Sequence, residues 1–423
     1  MTWGPIYIMT ELAVTGRCRV GEAQSPRRSP DPESAVSEHD LNELKTTPLT
    51  GWHRAHGARM VSYAGFQMPV QYAGVLAEHE AVRERVGLFD ITHMGEILAR
   101  GAGVSPWLDG LTTNRINNLE TGKVVYTAMC REDGGVLDDM LVYRLTDQEW
   151  MIVCNAANHD KIVAWLLTRA EGVAGVEIED ASDATALIAV QGPDATILMH
   201  RLAALADRTI DLDGLDFSTC FTHKGPSGRW IVSRTGYTGE RGYELYIPLN
   251  DALPIWEELV SRGEDLGVAP VGLAARDTLR FEVAYCLYGH ELSEDILPLE
   301  AGIGWAVRLK NRDFIGRDAI EAMKAAGVPR RLVGLEILPT QAGRPAPIAR
   351  QDAEIFAGDR FVGRVTSGTM SPTLGRPLAL ALVTADAADS DLTVLIRGRS
   401  APVRTTPLPF LPARVKGDPR AER

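Results

Sequence analysis

Residues 233–249 read SRTGYTGERGYELYIPL, a stretch that admits few backbone paths. Three glycines, two tyrosines and two glutamates crowd into Gly236–Glu244, and the chain then alternates apolar and polar residues up to Pro248. Alternation with a period of two is the pattern of a strand with two distinct faces. Glycines at Gly239 and Gly242 allow positive φ and close backbone approach. Two readings follow: a hairpin turn with ordinary aromatics, or a glycine-rich loop that closes backbone, rings and a carboxylate around a flat polar ligand. From these residues alone the hairpin is the simpler of the two.

The remaining folded chain is read as small α+β units followed by a β domain. VLAEHEAVRERVGLFDI has helical spacing, with Val75, Val82 and Val86 on one face and Gly87 as its expected stop. Ser105-Pro106 reads as a helix start. KVVYTAMCRED, GGVLDDMLVYRL and EWMIVCNA are three strands separated by turn chemistry, and AANHDKIVAWLLTRA is a helix. TALIAVQGPDATILMHRL repeats strand, turn and helix; DALPIWEELVSRGEDLG and GLAARDTLRFEVAY are two more helices. Beyond about residue 310 only short β segments are expected, as in a small barrel or sandwich. A chain of 423 residues has room for two or three such domains.

Composition excludes several function classes. A net charge of −12, without a Lys/Arg stripe, argues against a nucleic-acid partner. The longest apolar runs are too short to span a membrane. Cys18, Cys130, Cys154, Cys220 and Cys286 lie far apart with no metal-ligand spacing, which points to reduced thiols and a cytoplasmic location. Residues 1–45 include GEAQSPRRSPDPESAVSEHD, rich in Ser, Pro and charge, and are expected to form a disordered extension. MTWGPIYIM has no basic n-region, and the acidic residues after it are unlike a mitochondrial presequence.

No metal or nucleophile motif stands out; His53 and His56 read as packing or surface residues. Asp138 and Asp139 are more informative, because they interrupt an apolar strand in GGVLDDMLV. Alternation sends one carboxylate to each face, and the one that enters a core or cleft needs a hydrogen-bonded or cationic partner. An exposed strand end accounts for the pair equally well at this point.

TGYTGERGYE resembles the signature of the aminomethyltransferase family, the T-protein of the glycine cleavage system. ARMVSYAGFQMPVQY, VGLFDITHMGE, GGVLDDMLVY, NAANHDK, ALIAVQGP, GLAARDTLRFE, LYGHELSE, DFIGRDAI and TSGTMSPTLG resemble further family segments in family order, over roughly residues 46–412. The resemblance implies an α+β, three-domain cloverleaf around a central folate channel: two ferredoxin-like α+β domains and a C-terminal β-barrel. The implied boundaries are 46–95 with 181–295 for the first domain, 96–180 inserted, and 296–423 for the barrel.

The implied activity is transfer of the methylene carbon of an aminomethyl group from lipoyl H-protein to tetrahydrofolate. The products are 5,10-methylenetetrahydrofolate, ammonia and dihydrolipoyl H-protein. By resemblance Asp139 is the catalytic acid beside the folate nitrogens and Glu244 grips the pterin edge. Arg276, Tyr237, Tyr285 and Tyr126 line the folate site. Asn155 and Met94 border it, and Arg414 reaches back from the C-terminus. His93 in DITHMGE is expected to be a satisfied buried histidine without a proton-transfer role. Tetrahydrofolate is the implied acceptor, no metal is implied, and H-protein is the partner.

Three other readings compete with this one. Folate-dependent demethylases of the same superfamily usually depart from TGYTGExGYE, which is intact here. Iron–sulfur assembly relatives carry a cysteine in a Lys-Gly-Cys-Tyr loop, where this chain reads NRDFIGRDAI with Phe314. The folate-binding half of a flavin-linked amine dehydrogenase is a third reading; with no dinucleotide GxGxxG segment after an N-terminal strand, the chain would have to be a detached piece of one.

Overall fold

The computed structural model describes residues 43–205, 210–341 and 343–416; the extension expected at 1–45 lies almost wholly outside them. Three β assemblies dominate an α+β architecture. The first is a six-stranded sheet in the order Cys220–Lys224, Arg229–Ser233, Gly242–Pro248, Thr185–Gln191, Gly87–Asp90 and Ala269–Pro270. The second has five strands in the order Val124–Cys130, Val136–Arg144, Glu149–Cys154, Gly95–Arg100 and Glu177–Asp180. The third is a closed six-stranded barrel built from strands between Arg330 and Thr406. Strands of the first sheet come from both sides of the segment that forms the second.

Side-chain parity decides how the first two sheets meet. Along Gly242–Pro248, Tyr243, Leu245 and Ile247 enter one apolar cluster, backed by helix Leu249–Arg262 through Ile255, Trp256 and Leu259. The alternate residue Tyr246 faces the other way, into a second cluster with Leu187, Ala189 and Ile231 of the same sheet. Tyr143, Met151 and Val153 of the five-stranded sheet enter that same second cluster, while Met140, Val142 and Ile152 turn to a third. The two sheets therefore pack face to face across one apolar seam. Tyr143 and Tyr246, both buried, bridge it hydroxyl to hydroxyl at 2.7 Å, which satisfies the two polar tips that the seam would otherwise strand.

A buried ionic network ties the barrel to this body. Glu282, at the end of helix Leu273–Glu282, accepts from Arg83 at 2.9 Å, Thr373 Oγ1 at 2.8 Å and Ser371 Oγ at 2.5 Å, and lies 3.2 Å from His79. Arg83 also binds Glu240 at 2.8 Å. Removing one member would leave a buried charge without its partner, so helix Val75–Glu84, helix Leu273–Glu282 and the barrel loop at 371–373 are held as a unit.

Several local expectations change. Gly87 does not stop a helix: the helix ends at Glu84, and Gly87 opens a strand where a Cβ would strike Val82 and lie 2.7 Å from Val271. Its role is close packing of helix on strand. Ser105 and Pro106 sit inside the first turn of helix Val104–Asp109, with Gly103 at the cap position. The C-terminal third is not all β, since RDAIEAMKAA forms helix Arg317–Ala326 with only Ile320 buried. Strand Arg376–Thr384 also went unread; its alternating Leu and Ala carry weak strand propensity, yet seven of its nine residues are buried in the barrel. Among the described residues, no helix is long and apolar enough to cross a membrane.

Candidate active site

The glycine-rich stretch proves to be both things its sequence allowed. Strands Arg229–Ser233 and Gly242–Pro248 pair antiparallel, with Ser233 opposite Glu244, so residues 234–241 connect a hairpin. That connection is nevertheless shaped to bring side chains inward. Gly239 has φ +77°, and a Cβ there would strike Val283; Gly236 and Gly242 both lie flat against the buried Gln191 side chain. Gln191 in turn donates to the Thr235 carbonyl at 3.1 Å and accepts from Thr238 at 2.8 Å.

Glu244 shares the parity of Tyr246 and so points into the seam between the sheets, buried. Oε2 accepts from Thr235 Oγ1 and from Tyr246 OH at 3.4 Å, and the Tyr143 hydroxyl adds to their pull on the carboxyl. Burial raises its pKa, against the opposing pull of Thr235 and the nearby Arg276 guanidinium.

Asp139 lies on the facing sheet, with Leu141 and Tyr143 on its side of strand Val136–Arg144. Tyr143 is therefore common ground: it contacts the Glu244 cluster through Tyr246, and Asp139 stands four residues along the same face, about 13 Å at the usual strand rise. Asp139 accepts from Tyr126 OH at 3.0 Å and from Asn155 Nδ2 at 2.9 Å. Tyr126 reaches it because Ala128 pairs with Asp139 across the ladder and Tyr126 stands two residues away on the same face. Burial pushes the Asp139 carboxyl up to about 6, while the Tyr126 and Asn155 hydrogen bonds pull it back.

Asp138 takes the opposite face and is fully buried. It accepts from the Asn155 backbone N–H at 2.9 Å, Asn155 Nδ2 at 2.8 Å and Asn158 Nδ2 at 2.6 Å. Burial, with Asp139 close by, raises it to about 7. The Asn155 amide has two protons for three oxygens, the two carboxylates and the Asp139 carbonyl at 3.0 Å. Asp138 thus holds the asparagine that orients Asp139.

Arg276 and Tyr237 lie between the two carboxylates. The Arg276 guanidinium sits 4.4 Å from the centre of the Tyr237 ring and makes no hydrogen bond among the described residues. Tyr237 donates to the Cys286 carbonyl, and its ring lies 5.9 Å from that of Tyr285. Asp139 is close enough to Tyr237 to add to the rise that burial gives its phenol, and Arg276 close enough to Glu244 to oppose the rise of its carboxyl. The seam thus carries, in order, the Glu244 carboxylate, a cationic fork stacked on an aromatic wall, and a second carboxylate poised near neutrality. Met94 is half-buried against the seam's apolar cluster.

Arg414 is placed differently. Its guanidinium binds Glu240 at 2.7 and 3.0 Å and the Arg83 carbonyl at 2.9 Å, and its backbone N–H donates to Gly239 O at 2.6 Å. These contacts strap the C-terminal segment over the glycine-rich loop. His93 is not satisfied: its Nδ1 is buried without a partner, and burial beside Arg276 lowers it to about 3, so it stays neutral. Glu96 was not singled out from sequence, yet both its oxygens are buried without a hydrogen-bond partner among the described residues, and burial, then Asp180 and Glu244, push its pKa well up. Thr235 and Trp305 also went unread. Thr235 had a signal in its spacing two residues after the strand's Ser233; an exposed tryptophan has none.

Known proteins resemble this chain over most of its length. Residues 49–311 match the GCVT N-terminal domain and residues 330–411 the glycine cleavage T-protein C-terminal barrel domain. The chain is 43% identical over 373 residues to an aminomethyltransferase of Desulforamulus reducens, covering 88% of this chain and 99% of that one. It is 45% identical over 371 residues to an aminomethyltransferase of Geobacillus thermodenitrificans, covering 87% and 98%. The crystal structure of glycine cleavage system aminomethyltransferase T from Bartonella henselae superposes with a TM-score of 0.79 at 32% identity, covering 88% of this chain and 99% of that chain.

Proposed function

Given that this chain belongs to the aminomethyltransferase family, we propose that its seam binds tetrahydrofolate and transfers to it the methylene carbon of an aminomethyl group carried on lipoyl H-protein. The observation that carries this reading is the shared orientation of Glu244 and Asp139 toward one seam, with Arg276 and Tyr237 between them. A pterin edge presents a ring N–H beside an exocyclic NH₂. Glu244 accepts such a pair in the way a carboxylate accepts a guanidinium. Arg276 offers a planar fork for a folate carbonyl or carboxylate, and Tyr237 and Tyr285 form the wall. Arg414 contributes by holding the loop closed through Glu240.

In the reaction the carbon exchanges its bonds to sulfur and to the amine nitrogen for bonds to two folate nitrogens. The two protons released from those nitrogens leave with ammonia and the thiol. Positive charge builds on the carbon as ammonia departs. Ionised Asp139, held by Tyr126 and Asn155, faces that charge and needs no reorganisation to stabilise it. Its raised pKa also suits it to relay a proton near neutral pH. The domain division that accompanies this reading is 46–95 with 181–295, 96–180 inserted, and 296–423. The test is incubation with aminomethylated H-protein and tetrahydrofolate. Stoichiometric ammonia and 5,10-methylenetetrahydrofolate are expected; their absence with folded protein refutes the reading.

A further inference from the structure

A groove of about 850 Å³ runs past the Gly304–Val307 segment. Its walls carry Arg115, Arg308, Lys310, Arg317 and Lys324 against one acid, Glu321, which is already paired with Arg317 at 2.9 Å. Arg308, Lys310 and Lys324 are exposed and make no ion pair among the described residues. Such a concentration of unpaired positive charge stands out on a chain of net charge −12. Unpaired like charges repel one another, so a groove that gathers them is stabilised by a negative surface laid into it.

The groove is fastened to the reacting carboxylate. Gly304 and Val307 line it, and Trp305 between them is 59% exposed. The Trp305 ring stacks on Tyr126 at 5.2 Å between centroids, and Tyr126 donates to Asp139. Thr113 accepts from the Arg308 backbone N–H at 2.9 Å and its hydroxyl donates to the Ala306 carbonyl at 3.1 Å. The same hydroxyl accepts from the Ala128 backbone N–H at 3.1 Å, on the strand that pairs with Asp139. An exposed tryptophan beside a charged groove is the composition of a binding anchor with an electrostatic rim.

We propose that this groove is the docking surface for the carrier that delivers the aminomethyl group. The carrier would present an acidic face to Arg308, Lys310 and Lys324 and thread its arm past Trp305 toward Asp139. The proposal rests on the reading of Asp139 given above and adds where the partner binds.

The test compares the full-length protein with its Arg308→Glu/Lys310→Glu/Lys324→Glu variant, using lipoyl H-protein for calorimetric binding and its aminomethylated form for turnover. Charge reversal is expected to raise the Kd and the KM for H-protein at least tenfold, leaving kcat and the KM for tetrahydrofolate within about twofold. Raising salt from about 50 to about 300 mM should weaken carrier binding several-fold in the parent and leave the variant's residual binding nearly flat. If the reversed variant does not fold, the Gln triple variant replaces it, with a smaller rise in the same direction. An unchanged Kd in a folded variant, retained salt dependence, or no binding of H-protein by the parent overturns the docking surface. Groove-dependent binding without any turnover would support docking while refuting the proposed reaction.

Discussion

Tyr126→Phe removes one interaction and little else. The ring keeps its place against Trp305, and the 3.0 Å hydrogen bond to Asp139 Oδ2 disappears. That bond favours the ionised carboxylate, and Asp139 otherwise sits at about 6 because burial outweighs it. A hydrogen bond to a charged group is worth about 1.5–3 kcal/mol, which at about 1.4 kcal/mol per pKa unit corresponds to a rise of about 1–2 units. Asp139 is half-buried, so water recovers part of the loss and the lower end, about one unit, is expected. Tyr126 itself is pushed well above its ordinary value by burial and then by Asp139, so it remains a donor across the working range. The assay is ammonia release from aminomethylated H-protein, with kcat/KM followed from pH 5 to 9. The acid limb should move from near 6 to near 7, with the alkaline plateau preserved within about threefold. An unmoved limb would mean that Asp139 ionisation does not govern the rate. Loss of the plateau at all pH values would mean that Tyr126 acts on the reaction directly.

Asp139→Asn removes the charge and keeps the shape, so turnover should fall about 10²–10³-fold while tetrahydrofolate affinity, read by fluorescence titration, stays within about threefold. Glu244→Gln should do the reverse, weakening tetrahydrofolate by about 1.5–3 kcal/mol with a smaller effect on kcat; steady-state KM and kcat separate the two. Gly239→Ala forces a side chain into positive φ and against Val283, and should cost about 1–3 kcal/mol in denaturant unfolding. The buried contacts of Glu282 with His79, Ser371 and Arg83 outweigh its desolvation and depress its pKa from 4.5 to about 2. Because the folded value is the lower one, its stabilisation is complete above pH 4.5 and is lost as pH falls toward 2. Urea titrations at pH 7 and pH 3 should show that loss, on the order of 2–3 kcal/mol, and Glu282→Gln should abolish most of the difference.

Much of this protein is legible from local pattern. The strand alternation of GYELYIPL, the apolar run TALIAVQ and the helix beginning at Leu249 all appear where spacing puts them, because their periodicity reports the faces they bury. Helix Arg317–Ala326 and strand Arg376–Thr384 were missed for different reasons. The first is a short amphipathic helix set on Ile320 among β segments, and the periodicity of ten residues is easily passed over there; the second buries both faces, which erases alternation. Trp305 could not be read, since nothing local distinguishes an exposed tryptophan at an entrance from one in a core.

The adjacency of Asp138 and Asp139 was enough to send one carboxylate to each face of a strand, since side chains alternate whatever the fold. Which face was core and which was seam depended on the five-stranded sheet meeting the six-stranded one through Tyr143 and Tyr246. That is a contact between residues 103 positions apart, and no local spacing encodes it. The same packing turned Glu244 toward the seam, set Arg276 over the Tyr237 ring, and drew Arg414 to Glu240. Ionisation and reach are properties of distance and burial, and these exist only once the sheets have closed on each other.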